Sequence, residues 1–231
     1  MNRNVSLFDV DDIDRFSPVR EMVVSYASAK DVEEFCRRWH YTNTGGSNLW
    51  NYGLWDGVTL VGVISYNLPT MPACKAFFGP EKWEWVIHMG RLVCADNAPK
   101  NVESRLIANS FRLLKIDRPQ ARAVITYAAA GVGHIGYVYQ ATNAFYLGTT
   151  AADRYLIDDK GRRRSPRSRP DSKNGSEKER YEAAGWKVLE EPGKHRYIYL
   201  LGNKSERREA QKYLQFPILP YPKAAKISSK S

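Results

Sequence analysis

The stretch GVGHIGYVYQATNAFYLG, residues 131–148, carries glycines in the spacing G-x-G-x-x-G directly after an apolar run, ARAVITYAAA, that is typical of a β-strand. A dinucleotide-binding loop has this spacing, but it opens a long helix and is followed by a strand ending in an acid about 20 residues on. Here the helix after Gly136 must stop by Gly148, and no such strand follows. The stretch is therefore predicted to be a loop and a short helix that present polar side chains.

Four polar side chains of this stretch could do chemistry. His134 lies in the loop, and Tyr139, Gln140 and Asn143 follow on the short helix. A histidine can accept a proton, and a tyrosine can give one to a leaving group. Tyr139 and Asn143 are four residues apart and would share a helix face, as would Gln140 and Asn143. This face is predicted to form one wall of a pocket, and simple packing of the aromatic residues is the alternative.

The predicted helices and strands that position these side chains follow one another in a mixed α+β pattern. One crossover connection is expected, in which a strand, a helix and a second strand follow in series. Apolar periodicity and turn signals predict a helix over 28–40, a hairpin over 49–68 about Asp56-Gly57, a strand over 83–94, a helix over 104–117, a strand over 121–130, a helix over 176–185 and a hairpin of WKVLEE and HRYIYLLG. We predict an N-terminal arm over 1–20, one domain over 21–202 and a basic, proline-containing tail over 203–231.

The charge of the chain predicts a polyanionic partner, since 35 Lys and Arg face 25 acids for a net charge of +10. Residues 160–180 hold nine of these cations against three acids and have no large apolar side chain. We expect a flexible basic insertion in which Arg162, Arg163 and Arg164 contact phosphates, so that replacing all three by alanine reduces the salt dependence of binding. A solvated loop without function is the alternative.

The sequence also bears on the cellular location of the protein and on whether it has a metal-binding motif. No apolar stretch approaches the roughly 20 residues of a membrane span, and the N-terminus MNRNVSLFDVDDID is acidic where a secretory signal is basic. We therefore expect no membrane partner and a cytoplasmic location. Three cysteines and four histidines are scattered without the spacing of a metal site. The sequence leaves a bound metal and the oligomeric state open, a homodimer included.

Several segments together closely resemble the Mom family of phage DNA-modification proteins: HIGYVYQATNAFYLG, His40-Tyr41-Thr42, GRL at 90–92 and Asn101-Val102-Glu103-Ser104. The resemblance covers most of residues 38–150. It implies a divergent fold of the GCN5-related N-acetyltransferase superfamily, with a mixed, mostly antiparallel twisted sheet flanked by helices. It also implies a transferase that converts adenine in phage DNA to N6-carbamoylmethyladenine, which host restriction enzymes do not cut.

This resemblance, combined with the chemistry, suggests roles for particular residues. His40 or His134 would accept the proton of the adenine amine, Tyr139 would protonate the leaving group, and Arg91 would hold a carbonyl or phosphate oxygen. Gln140 and Asn143 would recognise the flipped adenine. The flipped base would stack on aromatic rings, and the candidates are Tyr66 and the aromatic residues before it, Trp50, Tyr52 and Trp55. Packing within the sheet is the alternative for each of these four rings. His88 is expected in the core.

The donor would lie between two splayed strands, 86–93 and 122–128, with its phosphates at the start of the following helix. Asn101 and Ser104 would contact it there, and Tyr127 and Gly133 would contact it from the second strand and its loop. Family members have Ser-Tyr-Ala-Asp where this chain has Thr126-Tyr127-Ala128-Ala129, so a general base at the last position is absent. The loop 95–103 also lacks the Q/R-x-x-G-x-G/A pattern that binds coenzyme A.

These departures leave the donor open between glycyl-tRNA and an acetyl-CoA-type molecule. The expected partners are double-stranded DNA and, for the first donor, tRNA. Two other functions also fit the sequence. One is a conventional acetyl-CoA-dependent N-acetyltransferase acting on protein or a small molecule, and the other is a basic nucleic-acid-binding protein without catalysis.

Overall fold

The computed structural model describes residues 16–40, 45–46, 48–129, 133–164, 170 and 176–223. The chain divides into two compact units. The first unit comprises Met1–Thr126, Tyr137–Leu147 and Tyr197–Tyr221, and the second unit comprises Tyr127–Gly136, Gly148–Arg196 and Pro222–Ser231. Most of the predicted N-terminal arm, residues 1–15, lies outside the described residues.

The helices and strands follow one another in this order: β1 (Val23–Tyr26), α1 (Ala29–Trp39), β2 (Trp50–Asp56), β3 (Thr59–Asn67), α2 (Met71–Phe78), a 3₁₀ segment (Pro80–Trp85), β4 (Val86–Cys94), α3 (Val102–Asp117), β5 (Ala123–Ala128), α4 (Tyr137–Ala141), β6 (Phe145–Thr149), β7 (Asp153–Ile157), β8 (Arg163–Arg164), α5 (Glu177–Ala183), β9 (Lys187–Glu191), β10 (His195–Leu200) and α6 (Lys204–Tyr213). No helix of this described part is long and apolar enough to cross a membrane.

Local signals explain the first elements. Ser28 caps α1 through a reciprocal pair of hydrogen bonds with Asp31, both 3.0 Å. The helix then buries Val32, Phe35 and Cys36 against β3 and β4. The hairpin of β2 and β3 turns at Gly57, whose φ of 58° suits glycine. The predicted helix and hairpin are therefore confirmed.

The first unit is built on a seven-stranded sheet with the order β1-β2-β3-β4-β5-β10-β6. The pairs from β1 to β4 are antiparallel, whereas β4 and β5 are parallel. These two strands pair only at Val86–Ala123, Ile87–Val124 and His88–Ile125, although β4 continues to Cys94. The predicted α+β fold is confirmed: a mixed, mostly antiparallel sheet flanked by helices, with β4 and β5 paired only at their beginnings.

One predicted hairpin is wrong. β9 pairs with β7 in a separate three-stranded sheet, ordered β8-β7-β9, whereas β10 lies between β5 and β6. The two strands differ in burial, since Tyr197, Ile198 and Tyr199 of β10 are buried and Lys187–Glu190 of β9 are exposed. Their separation follows from this difference, because only β10 carries enough apolar surface for a central strand.

The predicted C-terminal tail also requires correction. Residues 204–213 form α6, and the chain beyond it is anchored to the first unit. Leu219 forms a β-bridge with Tyr146, and the Tyr221 hydroxyl donates to the carbonyl oxygen of Ala144 at 2.8 Å. The prolines prevent a second helix there but do not prevent packing. Residues 224–231 lie outside the described part.

Candidate active site

Arg91 is placed by a β-bulge in β4. The register of β3 and β4 shifts between Ser65–Arg91 and Tyr66–Met89, so Gly90 is the extra residue. The half-buried Arg91 guanidinium donates to the carbonyl oxygen of Gly90 at 2.8 Å. It also packs against Gly46, where an added Cβ would lie 3.1 Å from Arg91 Nη2. The bulge thus directs a cation toward the segment that follows α1.

His40 lies within the electrostatic influence of this cation. It caps the C-terminus of α1, where its backbone N–H donates to the carbonyl oxygen of Cys36 at 2.9 Å. The imidazole is half-buried, and burial lowers its pKa below the ordinary value of 6.5; the charge of Arg91 lowers the pKa further. His40 is therefore neutral near pH 7 and able to accept a proton.

Cys36, one helical turn before His40, faces the same cation but is not a nucleophile. Burial raises the pKa of its thiol to about 11, although the positive charge of Arg91 opposes this effect. The side chain belongs to the hydrophobic cluster of α1 with Val32 and Phe35. Its neutral thiol fills the core next to the candidate base.

Asn48 and Ser65 support the same region, and sequence analysis did not identify them. Ser65, fully buried opposite Arg91, donates to Asn48 Oδ1 at 2.8 Å. Asn48 Nδ2 donates in turn to the carbonyl oxygen of Gly45 at 2.9 Å. The only signal in the sequence is a lone serine within the apolar strand VTLVGVISYNL.

Tyr139 and Gln140 lie on α4 and face a group of tyrosines. The rings of Tyr139 and Tyr197 are 5.5 Å apart, and Gln140 Nε2 donates to the Tyr197 hydroxyl at 3.0 Å. Thr142 is hydrogen-bonded to the Tyr199 hydroxyl at 2.6 Å. Tyr139 remains half-exposed. Tyr139 is therefore a partly exposed ring packed on Tyr197, and Gln140 has an intramolecular partner; a pocket wall at this face stays a prediction.

The expectation that Asn143 shares a helix face with Tyr139 is corrected. α4 ends at Ala141, and Asn143 adopts a left-handed conformation with φ 62°. Its backbone N–H closes the turn onto the carbonyl oxygen of Gln140 at 3.1 Å. Asparagine tolerates this conformation well, so its exposed position after the helix has a structural explanation.

Tyr66 also requires a correction, because its ring is in the core. It is 0% exposed, its hydroxyl is hydrogen-bonded to Ser110 at 2.7 Å, and burial raises its pKa far above the ordinary value. Tyr52 is equally buried and donates to Asp117 at 2.6 Å. Neither ring presents a face for stacking a base.

The other candidate side chains for base stacking, and His88, also contact neighbouring residues. Trp55 packs against the hydrophobic cluster of α1, and the ring of Trp50 lies 5.2 Å from the Arg118 guanidinium. His88, half-buried, pairs with Asn67 Oδ1 at 2.9 Å through Nδ1. Packing within the sheet accounts for these side chains.

The start of α3 is the place predicted for donor phosphates. Asn101 is exposed at the N-cap with φ 72°, and its side chain makes no capping hydrogen bond. Ser104 is half-buried in the first turn. The same turn carries Glu103, and a negative charge is favourable in the first turn of a helix.

The other predicted donor contacts belong to the second unit. Tyr127 is half-buried, and burial raises its pKa while the charge of Arg196 opposes this effect. Gly133, with φ 75°, and His134 are exposed, and the His134 backbone N–H donates to the carbonyl oxygen of Ala129 at 3.2 Å. Gly131 lies outside the described residues.

Part of the predicted basic insertion is folded. Residues 153–164 form the antiparallel pair of β7 and β8, and Asp158 lies buried at its turn. Its carboxylate accepts from Arg162 Nε at 2.8 Å and Arg164 Nε at 2.9 Å, as well as from the backbone N–H groups of Lys160 and Arg162. Burial alone would raise the pKa of Asp158, but these hydrogen bonds outweigh burial and hold it well below its usual range.

This arrangement corrects the view of 160–180 as one flexible loop. Arg162 and Arg164 stabilise the turn while keeping 56% and 39% of their side chains exposed. Residues from Ser176 onward cap and form α5. The side chain of Arg163 and residues 165–169 and 171–175 lie outside the described part. Replacing all three arginines would therefore disturb the turn as well as remove charge.

We expect Asp158→Asn to open this turn, because the two guanidinium groups lose their anionic partner. In hydrogen exchange, the Arg162 amide should exchange faster than in the unmodified protein. Because the pKa of Asp158 is depressed, its contribution is present above the ordinary value of about 3.8 and is lost as pH falls through the lowered value. Asp159→Asn, at the exposed neighbouring position, is the control, and equal exchange in both variants would contradict this role.

Taken together, the charge of Arg91 acts on His40, and ring and hydrogen-bond contacts place Tyr139 and Gln140 against Tyr197 of β10. Among the described residues, no three His, Cys, Asp or Glu side chains are arranged to hold a metal ion. The second unit has its own cavity of about 800 Å³ beside α5 and β9, where Tyr181 and Trp186 stack with ring centroids 6.1 Å apart.

Comparison with known proteins adds to this geometry. A family model described as the Mom protein family matches residues 21–223. The protein named methylcarbamoylase mom, from Escherichia phage Mu, is 26% identical over 188 residues, which cover 80% of this chain and 76% of that protein.

Solved structures with a similar fold are acetyltransferases. An N-acetyltransferase from Staphylococcus aureus Mu50 aligns with a TM-score of 0.44 and 11% identity, covering 78% of this chain and 99% of that one. A putative acetyltransferase from Salmonella typhimurium, solved with acetyl-CoA, aligns with a TM-score of 0.45 and 7% identity, covering 79% of this chain and 95% of that one.

Proposed function

The chain belongs to the Mom protein family, and from this premise we propose that it is a transferase that converts adenine in phage DNA to N6-carbamoylmethyladenine. Modified DNA would then resist host restriction enzymes. The observation that carries the proposal is the match of residues 21–223 to the Mom protein family, and His40, whose pKa is lowered by burial and by the charge of Arg91, supplies a candidate base. The net charge of +10 supports a nucleic-acid substrate.

The chemistry requires both groups. The N6 lone pair of adenine is delocalised into the ring, so the amine must lose a proton as it attacks a carbonyl carbon. His40 accepts this proton, and Arg91 stabilises the negative charge on the carbonyl oxygen. The target base lies inside a duplex and must be flipped out before it reaches them. His134, exposed on the second unit, is the second candidate proton acceptor.

The donor in this proposal is an activated glycine, such as glycyl-tRNA. A carbamoylmethyl group contains a nitrogen that acetyl lacks, so simple acetyl transfer cannot supply it. The first turn of α3 also carries Glu103, which would repel the pyrophosphate of coenzyme A. An acetyl-CoA-type donor is the alternative, and Asn101 and Ser104 are the residues that would contact its phosphates.

The proposed reaction has two steps. N6 attacks the glycyl ester carbonyl, and the tRNA hydroxyl leaves with a proton from Tyr139, giving N6-glycyladenine. The glycyl amine then attacks C6 to form a five-membered spiro ring. The bond from C6 to the original N6 breaks as a proton passes from the glycyl nitrogen to N6, so the original N6 becomes the terminal amide and the product is C6–NH–CH2–CO–NH2. No redox partner is needed.

Feeding 15N-glycine to cells that express the protein tests both steps. The label is expected on the nitrogen attached to C6 of the modified adenine. Label in the terminal amide would contradict the rearrangement, and unlabelled modified adenine would exclude glycine as the source.

Mass spectrometry of nucleosides from these cells tests the function itself. N6-carbamoylmethyl-2′-deoxyadenosine is expected among the nucleosides of the DNA. A conventional acetyltransferase would instead turn over acetyl-CoA with a free amine and depend little on DNA. A binding protein without catalysis would bind DNA and leave nucleoside masses unchanged.

We expect Tyr139→Phe to lower the modification rate about 100-fold, because the variant keeps the ring but loses the proton donor. The matched control is Tyr146→Phe, since both rings pack on Tyr197, at 5.5 Å and 5.2 Å. The rate is measured as modified adenine formed per enzyme on plasmid DNA. If both variants lose activity equally, Tyr139 has no special role.

A further inference from the structure

The outer face of α6 is a continuous basic surface. At 3.6 residues per turn, five side chains of the helix fall within one arc of its circumference, and all five are exposed: Lys204, Arg207, Arg208, Gln211 and Lys212. We call these five residues the basic stripe. It is about 12 Å long, from the rise of a helix over eight residues.

The acid that could neutralise the stripe is directed inward instead. Glu206 forms ion pairs with Lys115 at 3.6 Å and Arg122 at 3.4 Å, and it accepts from the Asn203 backbone N–H at 2.8 Å. Ala210, on the same inner side, is buried. The remaining acid, Glu209, is exposed at the edge of the stripe. The outward face therefore presents four cations.

The helix is held rigidly on the first unit. Asn203 caps its first turn by accepting from the backbone N–H groups of Ser205 and Glu206. At its end, Tyr213 contacts Trp85 edge to face at 6.0 Å, and Lys82 Nζ lies 4.1 Å from the Tyr213 ring centroid. Because the backbone is already ordered, the cations bind an anion without the cost of ordering a tail.

We propose that the basic stripe binds the phosphate backbone of duplex DNA beside the target base. A group of cations about 12 Å long spans the axial rise of three to four phosphates of one strand, at about 3.4 Å of duplex axis per phosphate. This inference rests on the proposed function for the identity of its ligand.

Arg122 connects α6, which carries the basic stripe, to the beginning of β4, the strand that carries Arg91. Arg122, the partner of Glu206, donates its backbone N–H to the Trp85 carbonyl oxygen at 2.9 Å, directly before β4 begins. Arg91 lies five residues into that strand, about 17 Å farther along. A length of about 17 Å corresponds to about five base pairs of duplex, so the proposal places the stripe on DNA that flanks the target base.

The test is the salt dependence of duplex binding by the full chain. The variant replaces the four cations by glutamine, which keeps helix propensity: Lys204→Gln, Arg207→Gln, Arg208→Gln and Lys212→Gln. Each phosphate contact contributes about 0.9 to the slope of log K against log salt concentration. We expect the slope to become shallower by about 2 to 4, and an unchanged slope would overturn the proposal.

The control variant removes exposed cations elsewhere. Arg20 and Lys30 are 84% and 81% exposed and pair with Glu21 and Glu34, so Arg20→Gln with Lys30→Gln should leave the slope unchanged. Equal loss in the control would show a general charge effect and overturn the proposal. A variant that loses affinity for tRNA while duplex binding is retained would assign the stripe to RNA instead.

A second variant keeps the proposal testable if the fourfold variant unfolds. Glu209→Gln retains every cation of the stripe and removes the acid at its edge, and it should tighten duplex binding about 2- to 3-fold. No gain would count against the stripe. Because these readouts measure binding, they remain valid if nucleoside analysis contradicts the proposed modification.

Discussion

Replacing His40 by glutamine is expected to lower the rate of DNA modification about 1,000-fold, within the usual effect of removing a general base. Glutamine keeps a polar side chain at the C-terminus of α1 but cannot accept the proton of the adenine amine. The rate is measured as modified adenine per enzyme, with duplex binding measured in parallel. Binding should change little, because the loss concerns the chemical step.

The matched control is His195→Gln. His195 is also half-buried, and burial also lowers its pKa, but it lies in the second unit. Its replacement should leave the rate within about 3-fold of the unmodified protein, as for most substitutions outside a site. If His40→Gln keeps full activity, the base is another group, and His134→Gln becomes the next variant to measure.

The pH dependence provides a second readout. Only neutral His40 accepts a proton, so the rate should fall as pH decreases through its pKa, which lies below 6.5 because of burial and Arg91. Arg91→Met removes the nearby positive charge and should move this acidic limb to higher pH, besides lowering the rate. A limb that does not move would contradict the coupling of His40 and Arg91.

Replacing Tyr66 by alanine is expected to reduce the free energy of unfolding by about 3–5 kcal/mol, the usual cost of removing a large buried aromatic ring. The ring lies between Tyr52 and Phe111, with centroid distances of 5.9 Å and 6.4 Å. Tyr66→Phe should cost only about 1 kcal/mol, since Ser110 keeps its bond to the Ile107 carbonyl oxygen. Urea unfolding measures both values.

The control for this prediction is Tyr26→Ala. Tyr26 packs on Tyr52 at 5.7 Å in the same row of tyrosines but is 57% exposed, and its loss should cost about 1 kcal/mol. If Tyr66→Ala keeps the free energy of unfolding of the unmodified protein but loses DNA modification, the result would support the stacking role that the sequence predicted for Tyr66. Loss of stability would support a structural role.

Short-range signals in the sequence were sufficient to predict many of the helices and strands. Ser28 and Asp31 begin α1, Asp56-Gly57 turns the hairpin, and the apolar period places α3. These features depend on residues within one or two turns of each other, which is why periodicity and capping predict them. The segments around His40, Arg91 and Tyr139 also carried the resemblance to the Mom family, which the comparisons confirmed.

Tertiary structure alone decided which of these residues meet. The bulge at Gly90 directs Arg91 toward Gly46, in the segment that follows α1, and the register that creates the bulge depends on β3, more than 20 residues away. Burial of Tyr66 depends on α3, which supplies its partner Ser110. Arg162 and Arg164 form ion pairs with Asp158 at the turn. The sequence by itself determined the family, the main helices and the charge that predicts a polyanion. Strand pairing and burial decided which side chains face the site, because they depend on partners distant in sequence.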